Sequence, residues 1–170
     1  MNVQQERKQY NCYEVETVLG LFLIYYNDEG IYRLVLPSKP INPGYKSHFT
    51  KGASHGFPWP ALESELKLYG KGRIIRGTYP LLNLGYSEWT KNVLQATLSI
   101  PFGETRSYKQ IAEQLGRPSA ARAVGRAVSC NRTPILIPCH RVVGQKGHLV
   151  GFSSGLLWKQ RLLDLEQHVP

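Results

Sequence analysis

The sequence predicts an α+β protein, with a small antiparallel sheet in its first part and a helical second part. Runs rich in Val, Ile, Leu and Tyr, separated by turn residues, predict strands near residues 13–19, 21–26 and 31–36. Later segments carry apolar residues at helical spacing between capping residues. A tight turn containing glycine separates two of these helices, which predicts a helix-turn-helix.

The first part ends in a loop-like segment followed by one helix. Residues 37–60 scatter Pro, Gly, Ser and Lys, whereas residues 62–69 have helical character. A new set of capped helices follows from Gly85 onward. We therefore predict an N-terminal α/β domain over residues 1–84 and a C-terminal helix-turn-helix domain over residues 85–170.

Capping residues mark the helices of the second part. Ser87 is suited to N-cap the first of them. Ser107 and Gln110 have capping-box spacing, so a second helix is expected to begin directly after Ser107. Beyond the glycine turn, Ser119 is expected to cap a third helix over about residues 120–130.

The second helix of the predicted helix-turn-helix is rich in small residues, and two arginines share one of its faces. Arg122 and Arg126 are four positions apart. One interpretation is a closely packed helix with two surface arginines. The other is a helix that faces DNA, whose small side chains let the backbone approach closely. The small positions are Ala120, Ala121, Ala123, Gly125 and Ala127.

The charge of the chain favours a polyanionic partner. The formal net charge is +9, and residues 105–141 hold seven basic residues and one acid, Glu113. A field of that sign attracts nucleic acid, although a solvated basic surface without a partner has the same composition.

The three cysteines include no CxxC pair, which is typical of a reducing compartment. With no signal-peptide pattern and only short apolar runs, we expect a cytoplasmic protein.

A cysteine within a Pro-Cys-His-Arg segment is the candidate centre of chemistry. Cys139 follows an apolar run and Pro138, and it precedes His140 and Arg141. A lone cysteine is most often a small buried apolar residue, but a base beside it can generate a nucleophilic thiolate. Because neighbouring side chains in an extended segment point opposite ways, a water bridge to His140 is expected. Glu166 is either an orienting partner for His140 or a surface residue.

Three motifs in this order resemble the O6-alkylguanine-DNA alkyltransferases. In order along the chain, they are the Ser-Tyr pair at Ser107, the Ser-Ala-Ala-Arg-Ala-Val-Gly run that begins at Ser119, and the run from Pro134 to Val143 around Cys139. The resemblance extends over about residues 86–166. It implies that the weaker N-terminal match is the ribonuclease-H-like domain that this family carries.

The resemblance implies a role for each site residue. Cys139 would accept the alkyl group, His140 would take the thiol proton through a water, and Glu166 would orient His140. Tyr108 would help rotate the nucleotide out and donate a proton to the leaving guanine, and Arg122 would fill the gap. The helix surface that contacts DNA would comprise Arg122, Tyr108, Ala120, Ala121, Ala123, Gly125 and Arg126. The substrate pocket would comprise Asn131, Pro134, Val142, Phe152 and Ser153.

The resemblance also implies the partner. The substrate would be double-stranded DNA with alkylated guanine, and also O4-alkylthymine, bound through the minor groove by a monomer with no membrane contact. Each molecule would react once, by base flipping and irreversible transfer, without a cofactor. Cys12, His48 and His55 do not make a four-ligand zinc set, so no metal is expected.

Two other functions fit parts of the pattern. An alkylated-DNA sensor or regulator would share the fold without transferring the group, although such sensors lack the acceptor cysteine that this chain has. A Cys-His hydrolase would turn over repeatedly and would ignore DNA. Phe152 and Ser154 stand where relatives often have Tyr and Gly, which leaves open how large an alkyl group the pocket accepts.

Overall fold

The computed structural model describes residues 10–37, 50–51, 57–82 and 85–167, and its α+β class is the predicted one. The strands are β1 Asn11–Thr17, β2 Gly20–Asn27, β3 Gly30–Val35, β4 Thr50–Lys51, β5 Arg106–Ser107 and β6 Val142–Val143. The helices are α1 Pro60–Tyr69, α2 Glu88–Leu98, α3 Tyr108–Gln114, α4 Ala121–Ser129 and α5 Leu156–Gln167, with 3-10 turns at Cys139–Arg141 and Gln145–Gly147. No helix in the described ranges is long and apolar enough to cross a membrane.

The N-terminal sheet has the order β3-β2-β1-β4. Strands β1, β2 and β3 form the predicted antiparallel meander, in which Val15 lies opposite Phe22 and Ile24 opposite Leu34. Strand β4 is an addition, because it pairs parallel with β1 inside the segment predicted as a loop. Two residues are too few to show an alternating pattern, so this strand has no sequence signal.

One apolar core lies between the sheet and helix α1. Phe22 and Ile24 from β2 are fully buried with Leu62 and Leu66 from α1, because the apolar faces of both elements meet there. The same core includes Ile135 and Leu162, which come from the second half of the chain. The predicted domain boundary follows residue 84, and residues 83–84 lie outside the described residues, so the division into two domains stays a prediction.

A second apolar core lies between helices α2, α3 and α4. Its fully buried members include Val93, Ile111 and Val124, one from each helix. These helices begin mostly as predicted. Ser87 Oγ accepts a hydrogen bond from Thr90 N at 3.2 Å, and the predicted capping box of α3 is formed between Ser107 and Gln110.

The cap predicted for α4 is wrong. The N-cap residue is Ala120, without a side-chain hydrogen bond, and Ser119 lies within the preceding turn. The backbone N–H of Ala120 donates to the carbonyl of Arg117 at 2.9 Å, so the turn is closed by the main chain. A serine one position away from the cap cannot serve the first amides of the helix.

Candidate active site

Cys139 lies in a buried 3-10 turn at the edge of the second core. Pro138 precedes the turn, and the Cys139 N–H donates to the Ile137 carbonyl at 2.7 Å. Only 6% of the Cys139 surface is exposed, and its side chain packs with Val142 in the core. The thiol therefore occupies an enclosed, apolar environment, and it is a free cysteine.

His140 and Glu166 meet in the interior, and both side chains are fully buried. His140 Nε2 lies 2.8 Å from Glu166 Oε1. His140 Nδ1 has no hydrogen-bond partner among the described residues. Burial lowers the pKa of His140 despite the nearby carboxylate, so the ring is neutral at pH 7. A neutral ring that donates from Nε2 leaves Nδ1 as its basic nitrogen.

Several further donors converge on the Glu166 carboxylate. Arg141 Nε and Nη2 donate to Oε2 and Oε1 at 2.8 and 2.9 Å, and the Gly103 N–H donates to Oε2 at 3.1 Å. The Tyr69 hydroxyl donates to Oε1 at 2.7 Å. Burial alone would raise the pKa of Glu166, but the hydrogen bonds from His140 and Arg141 outweigh it and lower the pKa to about 2. Although Arg141 is only two residues from Cys139 in the sequence, its guanidinium faces the Glu166 carboxylate.

The environment of Cys139 favours the protonated thiol. Burial raises the pKa of Cys139 to about 11, although the Asn131 side chain, the charge of Lys159 and the amide N–H groups of Cys139 and His140 act in the opposite direction. Since His140 is neutral as well, the resting site holds a thiol and a neutral base. Nucleophilic reaction of the thiol would then require proton removal as it proceeds.

Lys159 is a site residue that the sequence analysis missed. It is fully buried, and its Nζ donates to the Val150 carbonyl at 2.8 Å. Burial lowers the pKa of Lys159 to about 8, with an opposing contribution from Cys139. A signal was present, because Lys159 and Glu166 share the buried face of α5 with Leu162 and Leu163 at helical spacing. Two charged residues on an apolar stripe indicate a buried polar site.

Tyr108 and Arg122 border one cavity beside helices α3 and α4. The Tyr108 hydroxyl donates to the Val150 carbonyl at 3.2 Å, and its ring lies beside Gly125. The cavity measures about 320 Å³. Its lining residues are Tyr108, Lys109, Ala121, Arg122, Gly125 and Gln145.

The remaining positions of the predicted DNA-binding set follow the two faces of α4. Arg122 and Arg126 are exposed, whereas Val124 on the opposite face is fully buried. Ala120 packs partly buried against the second core, and the Ala123 carbonyl accepts a hydrogen bond from the Trp89 indole at 3.4 Å. One face of α4 is therefore anchored, and the arginine face is open to solvent.

Asn131 connects the end of α4 to the loop that carries Cys139. Its Nδ2 donates to the Ile137 carbonyl at 2.9 Å, and its Oδ1 accepts from Thr133 N at 3.0 Å. Within this loop Ile135 has a φ of 74°, a region that β-branched residues avoid, while its side chain is buried in the first core. Packing on one side and the Asn131 hydrogen bonds on the other thus hold the loop.

The predicted pocket residues do not all line one cavity. Asn131, Pro134 and Ser153 border a cavity of about 460 Å³, together with residues of β3 and the end of α4. Val142 and Phe152 do not border it, because Val142 is fully buried in the second core and Phe152 packs against both cores. Cys139 is also absent from its lining.

No cluster of three or more His, Cys, Asp or Glu side chains suited to a metal ion occurs within the described ranges. Cys12 is partly buried in β1. His48 and His55 lie outside the described residues, so the expectation of no metal stays a prediction.

The chain is similar to O6-methylguanine methyltransferases in sequence and in fold. Residues 88–168 match the family model described as 6-O-methylguanine DNA methyltransferase, DNA binding domain. A methylated-DNA–protein-cysteine methyltransferase from Mycobacterium leprae (strain TN) is 50% identical over 105 residues, which cover 62% of this chain and 63% of that protein, less than two thirds of its length. A relative of the same name from Methanosarcina mazei is 41% identical over 63% of this chain and 67% of its own length.

Solved structures extend the similarity to nearly the whole chain. The crystal structure of Mycobacterium tuberculosis O6-methylguanine methyltransferase has a TM-score of 0.78 and 31% identity, and the match covers 95% of this chain and 96% of that one. A structure of Mycobacterium tuberculosis OGT in complex with DNA has a TM-score of 0.75 and 31% identity, with 94% and 93% covered. On these matches the chain belongs to the O6-methylguanine-DNA methyltransferase family.

Proposed function

We propose that this protein repairs DNA by moving the alkyl group of O6-alkylguanine onto its own Cys139. The observations that carry the proposal are an enclosed Cys139 thiol and, at the next residue, a fully buried His140 whose Nδ1 is unpartnered among the described residues and whose Nε2 lies 2.8 Å from Glu166 Oε1. That arrangement suits a thiol that is deprotonated only when substrate is bound.

The transfer step balances with groups of this chain. The Cys139 thiol proton passes to His140 Nδ1 through a bridging water as the sulfur attacks the alkyl carbon. The S–C bond forms, the O6–C bond breaks, and the electron pair remains on the guanine. The Tyr108 hydroxyl donates a proton to the leaving base, which lowers the barrier to departure of an anion. No residue of this set offers a way to cleave the thioether, so each molecule reacts once and needs no cofactor.

The helix α4 is proposed to enter the minor groove of duplex DNA. An alkyl carbon inside the base stack is out of reach of a buried thiol, so the nucleotide must be flipped out at a cost of a few kcal/mol. Arg122 is exposed beside Tyr108 and is suited to occupy the gap, while Arg126 is suited to contact a phosphate. The alanines and Gly125 let the helix backbone approach the groove.

We also propose the substrates, the oligomeric state and the cellular compartment of the protein. Methyl groups on guanine O6 are the expected main substrate, and O4-alkylthymine is a second one. The protein is proposed to act as a monomer in the cytoplasm, where a free thiol stays reduced.

Intact-protein mass spectrometry with peptide mapping tests the function. The protein is incubated with duplex DNA that carries one O6-methylguanine. We expect a gain of one methyl group on Cys139, saturating at one per molecule. Cys139→Ala should take up none and still bind the DNA, whereas Cys130→Ala, at an exposed cysteine, should behave like the wild type. Retained binding without any methyl gain in the wild type would instead indicate the sensor or regulator.

A further inference from the structure

The last residue of helix α1 reaches the His140–Glu166 pair from the N-terminal part of the chain. Tyr69 is only 1% exposed, and its hydroxyl donates to Glu166 Oε1 at 2.7 Å. The Tyr69 hydroxyl oxygen also lies 3.3 Å from His140 Nε2, and Glu166 Oε1 lies 2.8 Å from that nitrogen. The tyrosine oxygen, the carboxylate oxygen and the imidazole nitrogen therefore form a closed triangle of polar contacts.

We propose that Tyr69 is a positioning residue for alkyl transfer, which keeps the His140 proton on Nε2 by closing this triangle with Glu166 Oε1. The inference rests on the proposed function and deepens it, since it names the contribution that the N-terminal part makes to the site. Tyr69 lies outside residues 88–168, the segment matched by the family model.

The direction of the hydrogen bonds supports this role. Burial and the charge of Glu166 raise the pKa of Tyr69 well above its usual value, so the phenol keeps its proton. That proton is donated to Glu166, and the tyrosine oxygen then offers only lone pairs to His140 Nε2. Both neighbours of Nε2 are thus acceptors. The tautomer that carries its proton on Nε2 is favoured, and Nδ1 is left free to accept the thiol proton.

The place of Tyr69 is set by packing on both sides. Its ring belongs to the first core, and Phe102 packs edge-on against it with ring centres 6.2 Å apart. Phe substitution would keep these contacts and remove only the hydroxyl, so the role of the triangle can be separated from that of the core. Tyr13 offers a matched control, because its hydroxyl donates to Glu63 of the same helix at 2.6 Å, away from the site.

The test compares single-turnover methyl transfer in full-length Tyr69→Phe, Tyr13→Phe and wild-type protein. Loss of one hydrogen bond to a charged group should slow transfer in Tyr69→Phe by roughly tenfold with DNA affinity unchanged. Tyr13→Phe should match the wild type. In the double variant with Glu166→Gln, Tyr69→Phe should add little to the loss from Glu166→Gln alone, because both act through one network.

A spectroscopic measurement tests the tautomer directly. In ¹⁵N-labelled histidine spectra, wild-type His140 should carry its proton on Nε2, and Tyr69→Phe should show a larger fraction with the proton on Nδ1, because one of the two acceptors at Nε2 is gone. A wild-type transfer rate in Tyr69→Phe, or losses that multiply in the double variant, would overturn the inference. Should the wild type itself take up no methyl group, the proposed function fails, and an unchanged His140 tautomer in Tyr69→Phe would separately reject the role of Tyr69.

Discussion

Lys159 and Tyr108 donate hydrogen bonds to the same acceptor, the carbonyl oxygen of Val150, at 2.8 and 3.2 Å. The Lys159 ammonium also lies 5.9 Å from the centre of the Tyr108 ring. A single carbonyl thus fixes a buried cation and a phenol relative to one another. Because Lys159 also acts electrostatically on Cys139, these two side chains link the thiol to the start of α3.

The shared carbonyl leads to a prediction for Lys159→Met. Loss of the buried charge should raise the pKa of Cys139 and slow methyl transfer at pH 7 by roughly three- to tenfold. Since the pKa of Lys159 is already lowered to about 8, the wild type loses the same charge above that pH. The difference in rate between the two proteins should therefore narrow at pH 9. Lys91→Met, at an exposed lysine paired with Glu88, is the control, and a difference that persists unchanged at pH 9 would contradict the prediction.

Glu166 should control stability in acid. Its pKa is lowered from an ordinary 4.5 to about 2, so its contribution is complete above pH 4.5 and is lost as the pH falls through about 2. In Glu166→Gln this part of the pH dependence should vanish, although breaking the buried pair with Arg141 should cost about 3–5 kcal/mol at pH 7. Urea unfolding between pH 2 and 7 measures both effects, and Glu88→Gln, at an exposed glutamate, serves as the control. Parallel pH curves for wild type and Glu166→Gln would rule out the coupling.

Arg122 should matter for duplex DNA and little for the free base. In Arg122→Ala, methyl transfer from duplex DNA should slow by roughly 10- to 100-fold, because the cost of extruding the nucleotide is no longer offset. Reaction with free O6-methylguanine should be nearly unchanged. Arg126→Ala should weaken DNA binding and reduce its salt dependence without this selectivity. Equal losses on duplex and free base in Arg122→Ala would exclude the role in extrusion.

Asn131 should hold the loop that carries Cys139 through both the oxygen and the nitrogen of its side-chain amide. Asn131→Ala removes the bond to the Ile137 carbonyl and the acceptor for Thr133, and should destabilise the protein by about 1–3 kcal/mol. Asn131→Asp keeps the acceptor and loses the donor. Its melting temperature should therefore lie between that of Asn131→Ala and that of the wild type. A melting temperature for Asn131→Ala equal to that of the wild type would show that the loop is held by packing alone.

The sequence predicted the elements whose patterns are local. Strands β1 to β3 are runs rich in Val, Ile, Leu and Tyr that turn residues separate, and the α3 capping box needs only Ser107 and Gln110, so both could be predicted from residues close in sequence. Strand β4 is too short to show a pattern. The Ser119 cap failed because capping depends on where the preceding turn closes, which is a matter of main-chain hydrogen bonds.

The sequence predicted the part of the site whose reactive residues stand next to one another in one motif. Cys139 and His140 stand in such a motif, and the helical face shared by Lys159 and Glu166 would have indicated a buried polar pair. Tyr69 carried no such signal, because 71 positions separate it from His140 and only the packing of α1 against the second half brings them together. Its contribution required the tertiary structure.

The first core joins the two halves of the chain. Ile135 and Leu162 from the second half are buried among the sheet residues and α1. Division of the chain near residue 84 would expose apolar surface on both fragments. Glu166 would also lose the hydrogen bond that the Tyr69 hydroxyl donates to it. We therefore expect the loop that carries Cys139, the C-terminal helix and the N-terminal sheet to unfold together, and a calorimetric scan should record a single transition.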